Sequence, residues 1–101
     1  MTQRVNLPNG QQGIIGSPAH RLLQHMAATV TGYAACGTGG ICTTTQLRSL
    51  AKANHVKLHH AYEGARAIVV GAYLTPAGER YVEMLNEAEA AAERLNELIG
   101  V

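Results

Sequence analysis

Four side chains in this sequence have the type and spacing of metal ligands. Cys42 is followed after twelve residues by His55, and after three more by His59, the second half of a zinc-finger spacing. Cys36 is the available fourth ligand. Five residues separate it from Cys42, where a finger allows about two to four. Gln46 and Lys52 stand where a finger needs apolar anchors, so that fold is not expected. A non-finger site from Cys36, Cys42, His55 and His59 stays open if both histidines share a helix face, and fails if His55 lies in a turn. The plainer reading is two thiols and two surface histidines. No metal and no cofactor is expected.

Covalent and acid–base chemistry has less to work with. "CGTGG" at 36–40 can form a backbone anion nest but lacks the Gly-Lys-Ser/Thr ending of a phosphate loop. A cysteine nucleophile with a histidine base needs only proximity in space. Glu63 is the sole acid before residue 76, which leaves no carboxylate pair for hydrolysis or a catalytic metal. The chain is therefore not expected to be an enzyme.

The charges divide along the chain. Up to residue 75, six cations (Arg4, Arg21, Arg48, Lys52, Lys57, Arg66) face Glu63 alone, and all five histidines lie there. After residue 75, Arg80 and Arg94 face six glutamates. A basic head on an acidic tail points the head toward a polyanion. The bland reading of the tail is a solvated helix.

The elements that must position these groups follow from local signals. The 101 residues make one domain with a thin core, which a dimer would supplement. Without Phe or Trp, and with many Ala, the composition favours closely packed helices. No apolar run approaches the ~18 residues of a membrane span, and no signal peptide opens the chain, so the expected compartment is the cytoplasm. Residues 1–16, with Pro8 and three glycines, read as a flexible arm, with a short strand at most at "GIIG". Ser17-Pro18 caps a first helix with Leu22, Leu23, Met26, Ala27 and Val30 on one face and Gly32 as its stop. Residues 33–45 read as a loop with strand edges. Thr44 or Thr45 caps a second helix carrying Leu47, Leu50 and Ala51, ended by Asn54 and His55. A third helix is expected from 56 to about 70, then an extended piece at 72–75. Thr75-Pro76 opens a last helix to about Ile99.

The run from Thr44 to Leu85 resembles the bacterial helix-turn-helix and winged-helix regulators. Leu50-Ala51, Val56, Ala61 and the "LTPAG" at 74–78 carry the likeness, which covers under half the chain. In that family an "LA" pair lies in the second helix, a third helix reads DNA, and an "LT-x-x-G" segment leads from the wing into a C-terminal helix. Here His55 stands where glycine is usual in the turn, Gly64 replaces a large residue, and the wing shrinks to one strand. The resemblance implies a mostly α, four-helix domain. It has an arm at 1–16, a helix-turn-helix head at 17–75 and a packing helix at 76–101, with a short strand or degenerate wing at 67–75. It implies DNA contacts from Arg48 and Lys52 on the second helix, and from Lys57, His59, His60 and Arg66 on the third. Two packed helices without nucleic acid would carry the same letters.

The last helix spaces Tyr81, Leu85, Ala88, Ala92, Leu95 and Ile99 by 4, 3, 4, 3, 4, a heptad seam. It can pack on its own domain or on a second copy. A homodimer would double a short list of cations, which binding to double-stranded DNA at physiological salt requires. The expected function is a bacterial, phage or plasmid transcription regulator. The alternative is a small phage-type protein-binding module that blocks a host complex through its acidic helix or apolar seam.

Overall fold

In a computed structural model, which describes residues 3–8, 10–36 and 42–98, the domain mixes helices and strands. Among the described residues the order is β1 (Gln3–Asn6), β2 (Gln12–Ile15), α1 (Pro18–Ala28), β3 (Tyr33–Ala35), α2 (Thr44–Lys52), β4 (Val56–Glu63), β5 (Arg66–Leu74) and α3 (Pro76–Leu98). Two antiparallel sheets result: the β1–β2 hairpin, and a three-stranded sheet in the order β3–β5–β4. This replaces the expected four-helix domain. The helix placed at 56–70 is a strand, a turn and most of a second strand, so no helix-turn-helix forms at 44–70.

The physical reason lies in "VKLHHAYEGARAIVVGAYL". Val, Ile and Tyr resist helix because they lose side-chain freedom there, and they suit a pleated surface. Gly64 takes φ +65 and begins a two-residue loop between the paired residues Glu63 and Arg66. That is the hairpin turn with glycine in its first position. Gly64 therefore does not stand in for a core residue, and the hairpin it closes has two full strands.

α1 and α2 pack on one face of the larger sheet. Leu22, Leu23 and Met26 of α1 meet Leu47 and Leu50 of α2, Ala34, Val56 and Ala72 of the sheet, and Val82 of α3. α1 ends at Ala28, capped by Thr29, whose hydroxyl donates to the Met26 carbonyl at 2.7 Å. Ala27 and Val30, expected on its packed face, are exposed. His20, buried, takes a place there instead, three residues before Leu23 and six before Met26. Thr43 rather than Thr44 or Thr45 caps α2, in a reciprocal box with Gln46.

A second core joins the β1–β2 hairpin to α3. Leu7, Ile15 and Leu85 are buried together, with Tyr81, Met84, Ala88 and Ala92 packed around them. The N-terminal half of the α3 seam is thus covered by the chain's own hairpin. The C-terminal half is not: Leu95 is 58% exposed and Leu98 84%. Ile99 lies outside the described residues.

His20 ties these layers together. Its Nδ1 accepts from the Gly16 N–H at 2.9 Å, so its Nε2 carries the proton and donates to Asn86 Oδ1 at 2.9 Å. Arg21, next to it, makes a paired contact with Glu89 at 2.6 and 3.0 Å. That contact draws one cation of the head onto the acidic helix.

The "LTPAG" segment seats α3. Thr75 Oγ accepts from the Gly78 N–H at 3.0 Å and donates to the Asn54 carbonyl at 2.6 Å. Gly78 is buried against the His55 carbonyl, and an added Cβ would collide with that oxygen and lie 2.8 Å from Leu74 Cδ1. Gly78→Ala should therefore cost about 1–3 kcal/mol, as overpacking does, and lower the urea midpoint without changing the slope of the transition. A midpoint equal to wild type would show that this contact yields freely.

Candidate nucleic-acid interface

The sheet sorts the candidate residues onto two faces. Val56 and Leu58 of β4 point into the core, so Lys57 and His59 point away from it. Between His59 and His60 the register slips: His59 pairs with Gly71 and His60 with Val69, leaving Val70 opposite no residue of β4. This bulge lets Val69 as well as Ala72 pack on the core side, where the alternation set by Val56 and Leu58 also places His60 and Tyr62. Glu63 and Arg66 fall, with Ala61 and Ile68, on the outer side.

α2 covers the core side of the sheet with Leu47 and Leu50. Its other face carries Thr45, Arg48, Ser49 and Lys52, which line a shallow depression of about 400 Å³. No acid lies on this helix. Beyond its edge, on the same side of the sheet, His60 and Tyr62 stand exposed toward the hairpin tip, Tyr62 by 77%.

Of the six residues expected to touch DNA, the structure places Arg48, Lys52 and His60 on the α2 side. It places Lys57, His59 and Arg66 on the opposite face. Tyr62 was missed by sequence reasoning. Its signal was the Glu63-Gly64-Ala65-Arg66 turn: once that is a hairpin, alternation puts Tyr62 on the face of His60.

The outer face has its own construction. Tyr33, Tyr73 and Lys57 form one row across the three strands, and Ala35, Gly71 and His59 the next. Gly71 leaves the space through which the Tyr33 ring passes; a Cβ there would lie 2.5 Å from Tyr33 Cζ. The Tyr33 hydroxyl reaches His59 Nδ1 at 3.0 Å, and the Tyr33 and Tyr73 rings sit 4.8 Å apart. His59 is thus held by an aromatic pair.

The four residues weighed as zinc ligands are distributed rather than gathered. Cys36 and Cys42 lie between β3 and α2, and His59 is on the outer face with Tyr33. His55 sits in the α2–β4 turn, its ring 4.0 Å from that of Tyr81. Among the described residues no three His, Cys, Asp or Glu side chains group as a metal site. No helix there is long and apolar enough to cross a membrane. No known protein family, curated protein or solved structure matches the chain.

Burial holds the His55 imidazole below its ordinary pKa of 6.5, so it is neutral where it packs on Tyr81. The unfolded chain therefore takes up this proton at higher pH than the folded one. Above about pH 6.5 the packing contributes in full, and stability falls as pH drops through 6.5 toward the lower folded value. The denaturation midpoint followed against pH should show this decline in wild type and a flatter profile in His55→Asn. Parallel profiles would assign the decline to other groups.

Proposed function

We propose that this chain binds double-stranded DNA without chemistry, as a small transcription regulator of bacterial, phage or plasmid type working in the cytoplasm. α2 is the element laid against the duplex, and the β4–β5 hairpin flanks it. The observation that carries this reading is the acid-free outer face of α2, with Arg48 and Lys52 one turn apart, on the same side of the sheet as an exposed His60 and Tyr62. Nine residues of helix span about 14 Å, enough to lie in a major groove. The β4–β5 hairpin adds a second element on that side of the domain, and β5 runs through Leu74-Thr75 into α3.

Arg48→Ala and Lys52→Ala should each weaken binding to all sequences alike and flatten the salt dependence by about one unit. Tyr62→Ala should weaken it as well. Lys57→Ala, on the far face of the sheet, should leave affinity close to wild type. Mobility shifts between about 50 and 200 mM salt decide the matter. Loss of binding in Lys57→Ala with none in Arg48→Ala would move the interface to the outer face. No binding by wild type at low salt would end the DNA reading.

Two cations per α2 make a weak site alone, and we propose a homodimer that doubles them. Leu95 and Leu98, exposed beyond the reach of the hairpin, are its contact. Leu95→Glu should yield monomers that keep their fold. Leu85→Glu should unfold the chain, because Leu85 is 1% exposed in its own second core. Sedimentation and circular dichroism separate the two outcomes, and a monomeric wild type at micromolar concentration would overturn the dimer.

The same exposed leucines support the second reading, a module that docks on another protein. Such an apolar contact would respond little to salt, whereas the phosphate contacts of the first would weaken steeply.

A further inference from the structure

The two cysteines are paired in space. Cys36, at the end of β3, and Cys42, one residue before the N-cap of α2, form an isolated parallel β-bridge with each other. Residues so bridged stand at the spacing of neighbouring strands, about 4.8 Å, with their side chains on one side. Disulfides span Cα separations of about 4.4–6.8 Å. Both sulfurs belong to the same core: Cys42 is buried in it, and Cys36 is half-buried against it.

As thiols, each is held by a carbonyl. Cys36 Sγ donates to the Val69 carbonyl at 3.3 Å, and Cys42 Sγ to the Ala35 carbonyl at 3.3 Å. Cys36 Sγ also lies 3.7 Å from the hydroxyl of Thr44, the first residue of α2, which can donate to it. Cys36 is the more accessible residue of the two, with the Thr44 hydroxyl able to donate to its thiolate, and Cys42 is buried.

We propose that Cys36 and Cys42 are a reversible dithiol–disulfide pair, closed by exchange with a low-molecular-weight disulfide such as oxidised glutathione. The Cys36 thiolate attacks one glutathione sulfur, forms a mixed disulfide and expels one glutathione thiolate. The Cys42 thiolate then attacks the Cys36 sulfur and expels the second. Two protein thiols lose two protons and two electrons, and one glutathione disulfide becomes two glutathione thiols. The new bond ties the end of β3 to the start of α2 and withdraws the S–H donors from Val69 and Ala35. The proposal stands independently of DNA binding, since its readout is the bond itself.

The test is the full-length protein equilibrated in oxidised and reduced glutathione mixtures, alkylated and mapped by mass spectrometry. The expected product is a single chain not covalently linked to another, lighter by two hydrogens, with a 36–42 cross-link that dithiothreitol reverses. Cys42→Ser should instead accumulate glutathione on Cys36. Wild type that keeps two alkylatable thiols in oxidised glutathione, a lasting glutathione adduct on Cys36, or cross-linking only between chains would each overturn the proposal. Because the wild-type map is decisive, misfolding of the serine variant would not rescue it.

Discussion

Everything that presents α2 depends on how its last turn meets the first turn of α3. Asn54 adopts φ +63, a left-handed conformation that asparagine tolerates better than most residues. This lets the His55 N–H bond back to the Leu50 carbonyl at 3.0 Å. The chain then leaves along β4. The two carbonyls exposed by this turn are not left to water. The Asn54 carbonyl takes the Thr75 hydroxyl, and that of His55 takes the Thr75 N–H at 3.1 Å. One threonine thus closes the α2–β4 turn and caps α3 together, and glycine at 78 is what allows the backbones so near. Helix, hairpin and tail helix are fixed to one another through about six residues.

That junction was partly legible. Thr75-Pro76 as a helix start, Asn54 as a left-handed terminator, and "LTPAG" as a link into the last helix all stand in the sequence as local signals. The purpose of Gly78 was not legible, because it depends on a carbonyl more than twenty residues away. The seam of α3 shows the same limit. Its 4, 3, 4, 3, 4 spacing shows a continuous apolar face without saying what covers each part of it. The covering of Leu85 by Leu7 and Ile15 could not be seen from residues 1–16, whose short hairpin has little apolar period.

The error at 56–70 has a definite physical origin. "LHHAYEGARAIV" contains Leu58, Ala61, Tyr62 and Ala65 at helical spacing, and four such matches in a short window also arise by chance in a strand pair. Side-chain stiffness and the glycine turn decide against the helix. The bulge then matters more than the strands themselves. Without it, the alternation set by Val56 and Leu58 would still place His60 and Tyr62 beside α2, but β5 would have no way to turn both Ala72 and Val69 toward the core. Val70, left without a β4 partner, spends its carbonyl on the Cys36 N–H at 3.0 Å. The irregularity in the hairpin thereby anchors the strand that leads toward α2.

Charge follows from the same architecture. Arg21 is committed to Glu89, and α3, with six acids, packs on α1 and β2 rather than on the outer face of α2. Apart from this Arg21–Glu89 pair, the acids of α3 and the cations of α2 lie on separate surfaces. An anion approaching the α2 face meets Arg48 and Lys52 with no carboxylate on that helix to offset them. An anion approaching α3 meets repulsion. With so few cations, this separation does what a higher net charge would otherwise have to do: it gives the molecule a direction. The outer sheet face, where Tyr33 and Tyr73 hold His59 beside Lys57, also carries Arg66, but Glu63 stands opposite Arg66 across the hairpin and offsets it. A polyanion therefore has more to gain from the α2 face.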